Sequence, residues 1–281
     1  AADYTRSVVF IRGIYAAIKT LKLRFPDTPL EVLYAGCGPF ATLLLPLLGK
    51  FSPGDLKLTL LDYHQSSLDS VELLLAHFGL QTHGTQTIKE DACGYQHAGK
   101  LHLVVAETMQ KSLEQEPQFA VTANLAPQLR LGGVFLPERI EVTLALTNLQ
   151  REKEWFDGSQ ATGLIDFEKA GRQSLATVFT LLPQSALAQK RGAPVNEEHS
   201  GAALESSIVE IPTMAGVDEL DVALFTRICV FEQYWLNDYE AQITLPLTCH
   251  ELLPLTGGER YRVSYHLGSY PKFDFERLSK P

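Results

Sequence analysis

A strand, a glycine turn and the start of a helix follow one another near the N-terminus. The apolar run at residues 31–35 ends in two glycines one residue apart, Gly36 and Gly38, and a second apolar segment follows at 42–48. Because a side chain at either glycine would fill the space that a ligand needs, this arrangement lets the backbone approach a nucleotide closely. The stretch therefore predicts a nucleotide-binding turn, although glycine pairs also follow strands simply to form turns.

The first half of the chain alternates between helix and strand patterns. Helices are predicted at 3–23, 42–50, 66–78 and 117–131, and strands at 30–35, 56–61, 85–89 and 101–106. This alternation is typical of a parallel, doubly wound α/β sheet, in which cofactor-binding groups lie at the carboxyl ends of the strands. We therefore predict a Rossmann-like domain over residues 1–137.

The second half has a different pattern. Apolar and polar residues alternate over short stretches at 140–146, 177–182, 207–212, 222–232, 241–247 and 260–267. Alternation with a period of two predicts half-buried strands, and their number predicts a smaller antiparallel domain over residues 138–281. Between them, residues 184–207 are rich in Ala, Ser, Gly and Glu, which predicts a long mobile loop or arm.

The composition argues against several classes of protein. The 281 residues include 24 Lys and Arg against 33 Asp and Glu, and the formal net charge of -9 disfavours a nucleic-acid partner. The four cysteines form no Cys-x-x-Cys pair and the eight histidines no His-Glu-x-x-His motif, which favours a cytoplasmic protein without a metal. No apolar run approaches the ~20 residues that cross a bilayer, so we expect no membrane partner, and we recognise no signal peptide.

Acidic residues at strand ends bear on which nucleotide cofactor binds. Asp62 ends the second predicted strand, where a carboxylate can accept hydrogen bonds from ribose hydroxyls, and Asp91 follows the third, close to where adenine would lie. The spacing Gly36-x-Gly38-x-x-Ala41 also fits the dinucleotide fingerprint of NAD enzymes. The segment after the fourth strand carries carboxylates, which are not the polar groups that hydride transfer needs. This difference favours S-adenosylmethionine over NAD.

At this point residues 3–146 resemble the class I S-adenosylmethionine-dependent methyltransferases. The resemblance implies that the glycine turn packs on the methionine part of the cofactor, that Asp62 binds the ribose and that Asp91 binds the adenine end. The cofactor-binding residues expected on this basis are Arg6, Gly36, Cys37, Gly38, Asp62, Tyr63, Asp91, Ala92 and Glu107. One departure is Phe40, which stands where the family has its third glycine.

The segment after the fourth strand carries a sharper resemblance, to the protein arginine methyltransferases. That family continues the strand with Ser-Glu-x-Met and has a second Glu nine residues after the first. Here Glu107 and Glu116 hold that spacing, and Met109 falls where the family has its Met. Residues 129–139 look like the family's Leu-x-Pro-Gly-Gly-x-x-x-Pro, and Asp3-x-x-Arg6 resembles its Asp-x-x-Arg. Residues 258–259, 265–268 and 273–275 look like its closing barrel strands, so we expect a β-barrel-like second domain.

Paired carboxylates suit the chemistry that this resemblance implies. A guanidinium has a pKa above ~12, stays protonated and is therefore a poor nucleophile. Glu107 and Glu116 would hold it and draw its charge toward the far nitrogens, while Arg6 would grip the carboxylate of the cofactor. The predicted reaction is methyl transfer from S-adenosylmethionine to a guanidino or amine nitrogen by direct displacement. The family pairs through an arm in its barrel domain, so a homodimer is expected, with 184–207 as a candidate arm.

Two departures from the family keep alternatives open. Ala106 replaces the Ser before the first Glu, and the family's Thr-His-Trp loop, which lines the substrate pocket, has no clear counterpart. Residues 234–240 offer aromatic and acidic side chains in the corresponding region. The methyl acceptor is then either protein arginine or a small molecule. The alternatives are a small-molecule methyltransferase of the same fold and a protein that binds S-adenosylmethionine without catalysis.

Overall fold

The computed structural model of the protein describes residues 3–81, 84–159, 171–192, 195–196 and 201–278. Within these ranges no helix is both long enough and apolar enough to span a membrane. The same part of the chain contains no group of three or more His, Cys, Asp or Glu side chains that could hold a metal ion.

Helices dominate the first part of the described chain and strands the second. The helices are α1 (Tyr4–Arg24), α2 (Leu45–Leu48), α3 (Gln65–His77), α4 (Gln118–Leu125), α5 (Leu149–Ser159) and α6 (Pro183–Gly192). The first seven strands are β1 (Leu30–Ala35), β2 (Leu56–Asp62), β3 (Gln86–Lys89), β4 (Leu101–Ala106), β5 (Leu129–Leu136), β6 (Arg139–Thr147) and β7 (Gln173–Leu181). The others are β8 (Val195–Asn196), β9 (Gly201–Glu210), β10 (Asp221–Phe231), β11 (Tyr234–Leu236), β12 (Leu247–Thr248), β13 (Arg260–His266) and β14 (Lys272–Leu278).

Strands β1 to β5 form a sheet in the order β3-β2-β1-β4-β5, and every neighbouring pair is parallel. The central strand β1 ends level with both of its neighbours, because Ala35 pairs with Leu61 of β2 and with Ala106 of β4. The loops that follow these three strands therefore leave the sheet side by side. The prediction of a Rossmann-like α/β sheet is confirmed.

Helix α1 holds the two halves of the chain together. Its fully buried face consists of Phe10, Ile14, Ala17, Ile18 and Leu21, at the three- and four-residue spacing of one helical stripe. This face packs on strands of both halves, β4 and β5 on one side and β10 and β11 on the other. The first turn of α1 is thereby fixed beside the carboxyl edge of the parallel sheet.

The remaining strands form two antiparallel sheets that share a core. One runs β11-β10-β6-β7, with β12 paired to β10, and the other runs β14-β13-β9-β8. The ring of Tyr265 on β13 lies 4.7 Å from that of Phe179 on β7 and 5.0 Å from that of Phe273 on β14. Phe119 of α4 joins this cluster, 6.2 Å from Phe179. The predicted antiparallel second domain is confirmed as two sheets around one aromatic core, and the boundary at residue 137 stays a prediction.

The helix predicted at 42–50 is wrong in extent, because α2 forms a single turn. The N–H groups of Leu44 and Leu45 both donate to the carbonyl of Ala41, so the chain turns before the helix begins. Pro46 has no N–H and suits only the first turn of a helix, and Gly49 follows the last helical residue. The glycine turn is therefore followed by a compact loop.

The helix predicted at 117–131 ends six residues early, at Leu125. After a 3₁₀ turn the chain enters β5, which contains Gly132 and Gly133, the residues predicted to stop the helix. A Cβ atom at Gly133 would lie 3.0 Å from the carbonyl oxygen of Leu101 and 3.1 Å from that of His102. Gly133 thus allows β4 and β5 to approach closely at a register shift, whereas a Cβ atom at Gly132 would meet the side chain of Arg24.

Two further predictions need correction. Residues 184–192, predicted as part of a loop or arm, belong to α6, whose Ala186 is fully buried and which packs against α4. The rest of the predicted arm includes β8 and the start of β9, while 193–194 and 197–200 lie outside the described residues. The strand predicted at 241–247 is a 3₁₀ turn, Gln242–Thr244, because the hydroxyl of Thr244 accepts the N–H of Ala241 at 3.0 Å.

Replacing Tyr265 by Phe is expected to lower the free energy of unfolding by about 1–2 kcal/mol, because the hydroxyl donates to the carbonyl of Leu113 at 2.6 Å in a buried setting. Urea unfolding of both proteins measures the loss. The matched control is Tyr270→Phe, at a side chain that is 80% exposed, which should change stability by less than ~0.5 kcal/mol. Equal losses in the two variants would contradict the anchoring role of Tyr265.

Candidate active site

The loops after β1 and β2 are joined through one buried carboxylate. Asp62 accepts the backbone N–H of Gly38 at 2.8 Å with Oδ2 and the N–H of His64 at 2.9 Å with Oδ1. An ionised carboxylate offers about four acceptor positions, so about two remain for another donor. Asp62 therefore positions the glycine turn and still has the capacity to bind hydroxyl groups.

The glycine turn is closed on one side and open on the other. A Cβ atom at Gly36 would lie 2.6 Å from the methyl carbon of Thr108, so the loop after β4 packs directly on this residue. Gly38 adopts a left-handed backbone, φ +62°, and, apart from its two chain neighbours, no heavy atom of the described residues lies within 4 Å of where its Cβ would be. The turn therefore presents bare backbone to open space at Gly38.

A fully buried amide holds the first part of the acidic loop, residues 107–116. The side-chain oxygen of Gln118 accepts the N–H of Thr108 at 2.8 Å and its hydroxyl at 2.9 Å. The side-chain nitrogen of Gln118 donates to the carbonyl of Ala106 at 3.1 Å. Both ends of this amide are thus satisfied, and the backbone on each side of Glu107 is fixed.

The second part of the acidic loop is held by the antiparallel sheets. The N–H of Ser112 donates to the hydroxyl of Thr226 on β10, and the N–H of Gln115 donates to the carbonyl of Pro271. The carboxylate of Glu114 accepts the N–H of Phe273 on β14 at 3.1 Å. Glu114 is therefore a structural anchor, and the loop spans from one half of the chain to the other.

Glu107 lies in a mostly buried position beside Arg6 of helix α1. One guanidinium nitrogen, Nη1, lies 3.2 Å from Oε1 and 3.4 Å from Oε2 of Glu107, and the side chain of Glu107 is 12% exposed. Burial raises the pKa of Glu107 to about 7, Arg6 opposes this shift, and the nearby charges of Glu116 and Asp3 add to it. The two predicted residues Arg6 and Glu107 are thus in direct contact.

Glu116, the second predicted glutamate, shares a cleft of about 450 Å³ with Glu107. Its carboxylate accepts the side-chain N–H of Gln110 at 3.0 Å. The cleft is lined by Arg6, Glu107, Met109, Gln110, Lys111, Glu116, Gln242, Ile243 and Leu245. Both acids predicted to bind the acceptor therefore face one space of small-molecule size.

One wall of the cleft is formed by residues 242–245, which the sequence did not predict as part of the site. The N–H of Gln242 donates to the carboxylate of Asp3 at 3.0 Å, so this wall is tied to the start of α1. Residues 234–240, considered as pocket-lining, instead supply Asp238 and Tyr239 to a buried ion pair of Glu152 and Arg172. Only contacts distant in sequence place the 3₁₀ turn at the cleft, and no local pattern signals them.

The other predicted cofactor residues lie around the carboxyl edge. Cys37 is buried in the glycine turn, where burial and the charge of Asp62 raise its thiol pKa to about 12. Tyr63 and Phe40 are 68% and 64% exposed. Asp91 is exposed and accepts the N–H of Cys93 at 2.8 Å, in the turn that includes Ala92. Asp91 and Ala92 thus lie in a separate turn after β3, at the far strand of the sheet.

The protein's own groups suit a ligand with a carboxylate and hydroxyls. Within the described chain, the buried Nε of Arg6 has no hydrogen-bond partner, and the carboxylate of Asp3 lies 3.7 Å from it. The free positions of the Asp62 carboxylate can accept hydroxyl donors, and the open face of Gly38 admits a group in van der Waals contact. These features fit the amino-acid and ribose parts of S-adenosylmethionine.

The described chain combines a parallel sheet that carries a glycine turn and strand-end carboxylates with two antiparallel sheets. Solved structures of other proteins share this fold. A chain of the Trypanosoma brucei PRMT1 enzyme–prozyme heterotetrameric complex with AdoHcy is 14% identical, with a TM-score of 0.51 over 99% of this chain and 96% of that chain.

Protein arginine methyltransferase 10 of Arabidopsis thaliana, in a uniquely open conformation, is 12% identical, with a TM-score of 0.54 over 99% of this chain and 96% of that one. No protein-family model and no curated protein sequence matches this chain. At these identities the likeness establishes the fold: the chain is built like a protein arginine methyltransferase over nearly its whole length.

The raised pKa of Glu107 predicts a pH dependence of stability. The folded protein keeps a proton on Glu107 up to pH about 7, whereas the unfolded chain releases it near 4.5. The stabilisation that this proton provides is therefore complete below pH ~4.5 and is lost as the pH rises toward 7. At about 1.4 kcal/mol per pKa unit, wild type should lose up to ~3 kcal/mol relative to Glu107→Gln between pH 4.5 and 8.

Urea unfolding of both proteins at several pH values measures this difference. The control is Glu210→Gln, at an exposed side chain on β9, whose stability should follow that of wild type across the range. A constant difference between wild type and Glu107→Gln at all pH values would show that Glu107 titrates normally.

Proposed function

We propose that the protein is an S-adenosylmethionine-dependent N-methyltransferase that transfers a methyl group to a guanidino or amine nitrogen. The observation that carries this proposal is that two pairs of interacting residues lie at the same edge of the parallel sheet. Gly38 and Asp62 form the open turn, while Arg6 contacts Glu107, which shares a cleft with Glu116. A cofactor site and a paired-carboxylate site are thus adjacent.

We assign cofactor binding to groups that still have hydrogen-bonding capacity. Arg6 would bind the cofactor carboxylate through Nε, which has no hydrogen-bond partner among the described residues, and Asp62 would accept the ribose hydroxyls. Asp91 and Ala92, with Tyr63, would lie toward the adenine. When bound, S-adenosylmethionine supplies an electrophilic methyl group on a sulfonium sulfur. The AdoHcy in the Trypanosoma brucei complex supports this cofactor class.

Glu107 and Glu116 would bind the acceptor. Their carboxylates face one cleft, and Glu107 already contacts one guanidinium, that of Arg6, through a single nitrogen. Two carboxylates can hold an acceptor guanidinium in a fixed orientation and concentrate its charge away from the attacking nitrogen. Correct positioning of the two reactants is worth up to ~7–11 kcal/mol of the barrier. Because its pKa is about 7, Glu107 is also suited to take up the proton that the acceptor nitrogen releases.

The same arrangement bears on the alternatives. A small-molecule methyltransferase of this fold would use the same cleft with a different acceptor. A protein that binds S-adenosylmethionine without catalysis would need the glycine turn and Asp62, but not two acids around a cleft at Glu107 and Glu116. The paired acids therefore favour catalysis. A homodimer and a cytoplasmic location remain predictions.

Calorimetry should detect binding of S-adenosylhomocysteine and none of NAD. Replacing Asp62 by Asn should weaken S-adenosylhomocysteine binding about 10-fold or more, because hydrogen bonds to a charged acceptor contribute ~1.5–3 kcal/mol. Asp69→Asn, on the exposed side of α3, makes the same change of charge elsewhere and should leave the affinity unchanged. NAD binding in place of S-adenosylhomocysteine would end the methyltransferase proposal.

Replacing Glu107 or Glu116 by Gln should lower methyl transfer from labelled S-adenosylmethionine at least ~100-fold, since each variant loses a charge that orients the acceptor. Affinity for S-adenosylhomocysteine should change little. Glu114→Gln is the matched control: it lies between the two acids, and its amide oxygen can still accept the N–H of Phe273. A fully active Glu107→Gln protein would contradict the carboxylate mechanism.

A further inference from the structure

The acceptor cleft contains a cation that the paired-carboxylate chemistry does not use. Lys111 lines the cleft together with Glu107, Glu116 and Arg6. Arg6 has Glu107 as its partner, whereas within the described part of the chain no acid forms an ion pair with the ammonium group of Lys111. A guanidinium ligand alone would be repelled by this charge.

Lys111 is held next to the acids by its own backbone. It begins the 3₁₀ turn Lys111–Leu113, and its carbonyl accepts the N–H of Glu114 at 3.1 Å. The following N–H, of Ser112, is bonded to Thr226 on β10, and the preceding side chain, of Gln110, is bonded to Glu116. Lys111 and Glu116 therefore belong to one braced loop and present opposite charges to one space.

A ligand that matches this space carries both charges itself. Its guanidinium or amine cation would lie between Glu107 and Glu116, and its carboxylate would pair with Lys111, so that the charges of these three cleft residues each have a partner. The volume of about 450 Å³ suits a small molecule. We propose that the acceptor is a small zwitterionic guanidino or amino acid and that Lys111 binds its carboxylate. This inference rests on the proposed function, whose acceptor it makes specific.

Free arginine and agmatine test the role of the carboxylate, since agmatine is arginine without that group. Isothermal titration of both into the protein saturated with S-adenosylhomocysteine should show arginine binding at least ~10-fold more tightly. In Lys111→Gln this preference should disappear, because arginine binding falls while agmatine binding stays the same or improves. Lys111→Arg should restore most of it. Lys100→Gln, an exposed residue at the opposite end of β4, is the control and should behave as wild type.

The same variants should change the KM for the acceptor without a comparable change in kcat. With labelled S-adenosylmethionine, Lys111→Gln should raise the KM for arginine ~10-fold or more with kcat little changed, as expected for a residue that binds the acceptor away from the reacting nitrogen. Equal binding of arginine and agmatine to wild type, or binding of neither, would overturn the inference. So would efficient methylation of arginine within a peptide that Lys111→Gln leaves unaffected, although the proposed function would then stand. The absence of methyl transfer to peptide, arginine and agmatine alike would instead overturn the proposed function.

Discussion

The candidate site depends on how the acidic loop is bonded at its two ends. Gln118, fully buried, joins the start of the loop to the end of β4, while Tyr265 and Phe273 join its far end to the antiparallel sheets. Buried hydrogen bonds such as these add modestly to the stability of the fold when both partners are present. Losing one partner lowers the stability more, because a buried polar group is then left unpaired. The distance between Glu107 and Glu116 is therefore set by the packing of the parallel sheet against the two antiparallel sheets.

Electrostatics in the cleft follows from the same construction. Glu107 is buried because hydrogen bonds to Gln118 hold its loop against the core. This burial raises the pKa of Glu107 to about 7 even though Arg6 contacts it. A carboxylate that titrates near neutrality can bind a cation in one state and carry a proton in the other. Asp62 has a different role, since it accepts two backbone N–H groups and bonds the glycine turn to β2.

Much of this arrangement could be predicted from sequence because it depends on local pattern. The strand, glycine and acid at the end of β1 and β2 are adjacent in sequence or in neighbouring strands, so they come together in any parallel sheet. Glu107 and Glu116, nine residues apart in the sequence, also line the same cleft in the folded chain. By contrast, the pair Gly132 and Gly133 has the local pattern of a helix stop, whereas Gly133 in fact allows the close approach of β4 and β5. Helix α6 is stabilised by packing on α4 rather than by its own composition.

The cleft wall at 242–245 could not be predicted from the sequence, because contacts between distant residues determine its position. The preceding residues, Asp238 and Tyr239, bond to Arg172 and Glu152, which lie far away in sequence, and the side chain of Arg172 stacks 3.6 Å over Phe225. A buried ion pair gains little net stability, but it fixes one conformation, because any other would leave charges unpaired. Here it fixes the chain just before Gln242, which Asp3 then bonds to α1. The aromatic and acidic residues at 234–240, which were considered as pocket-lining, therefore position the cleft wall, and the wall itself consists of Gln242, Ile243 and Leu245.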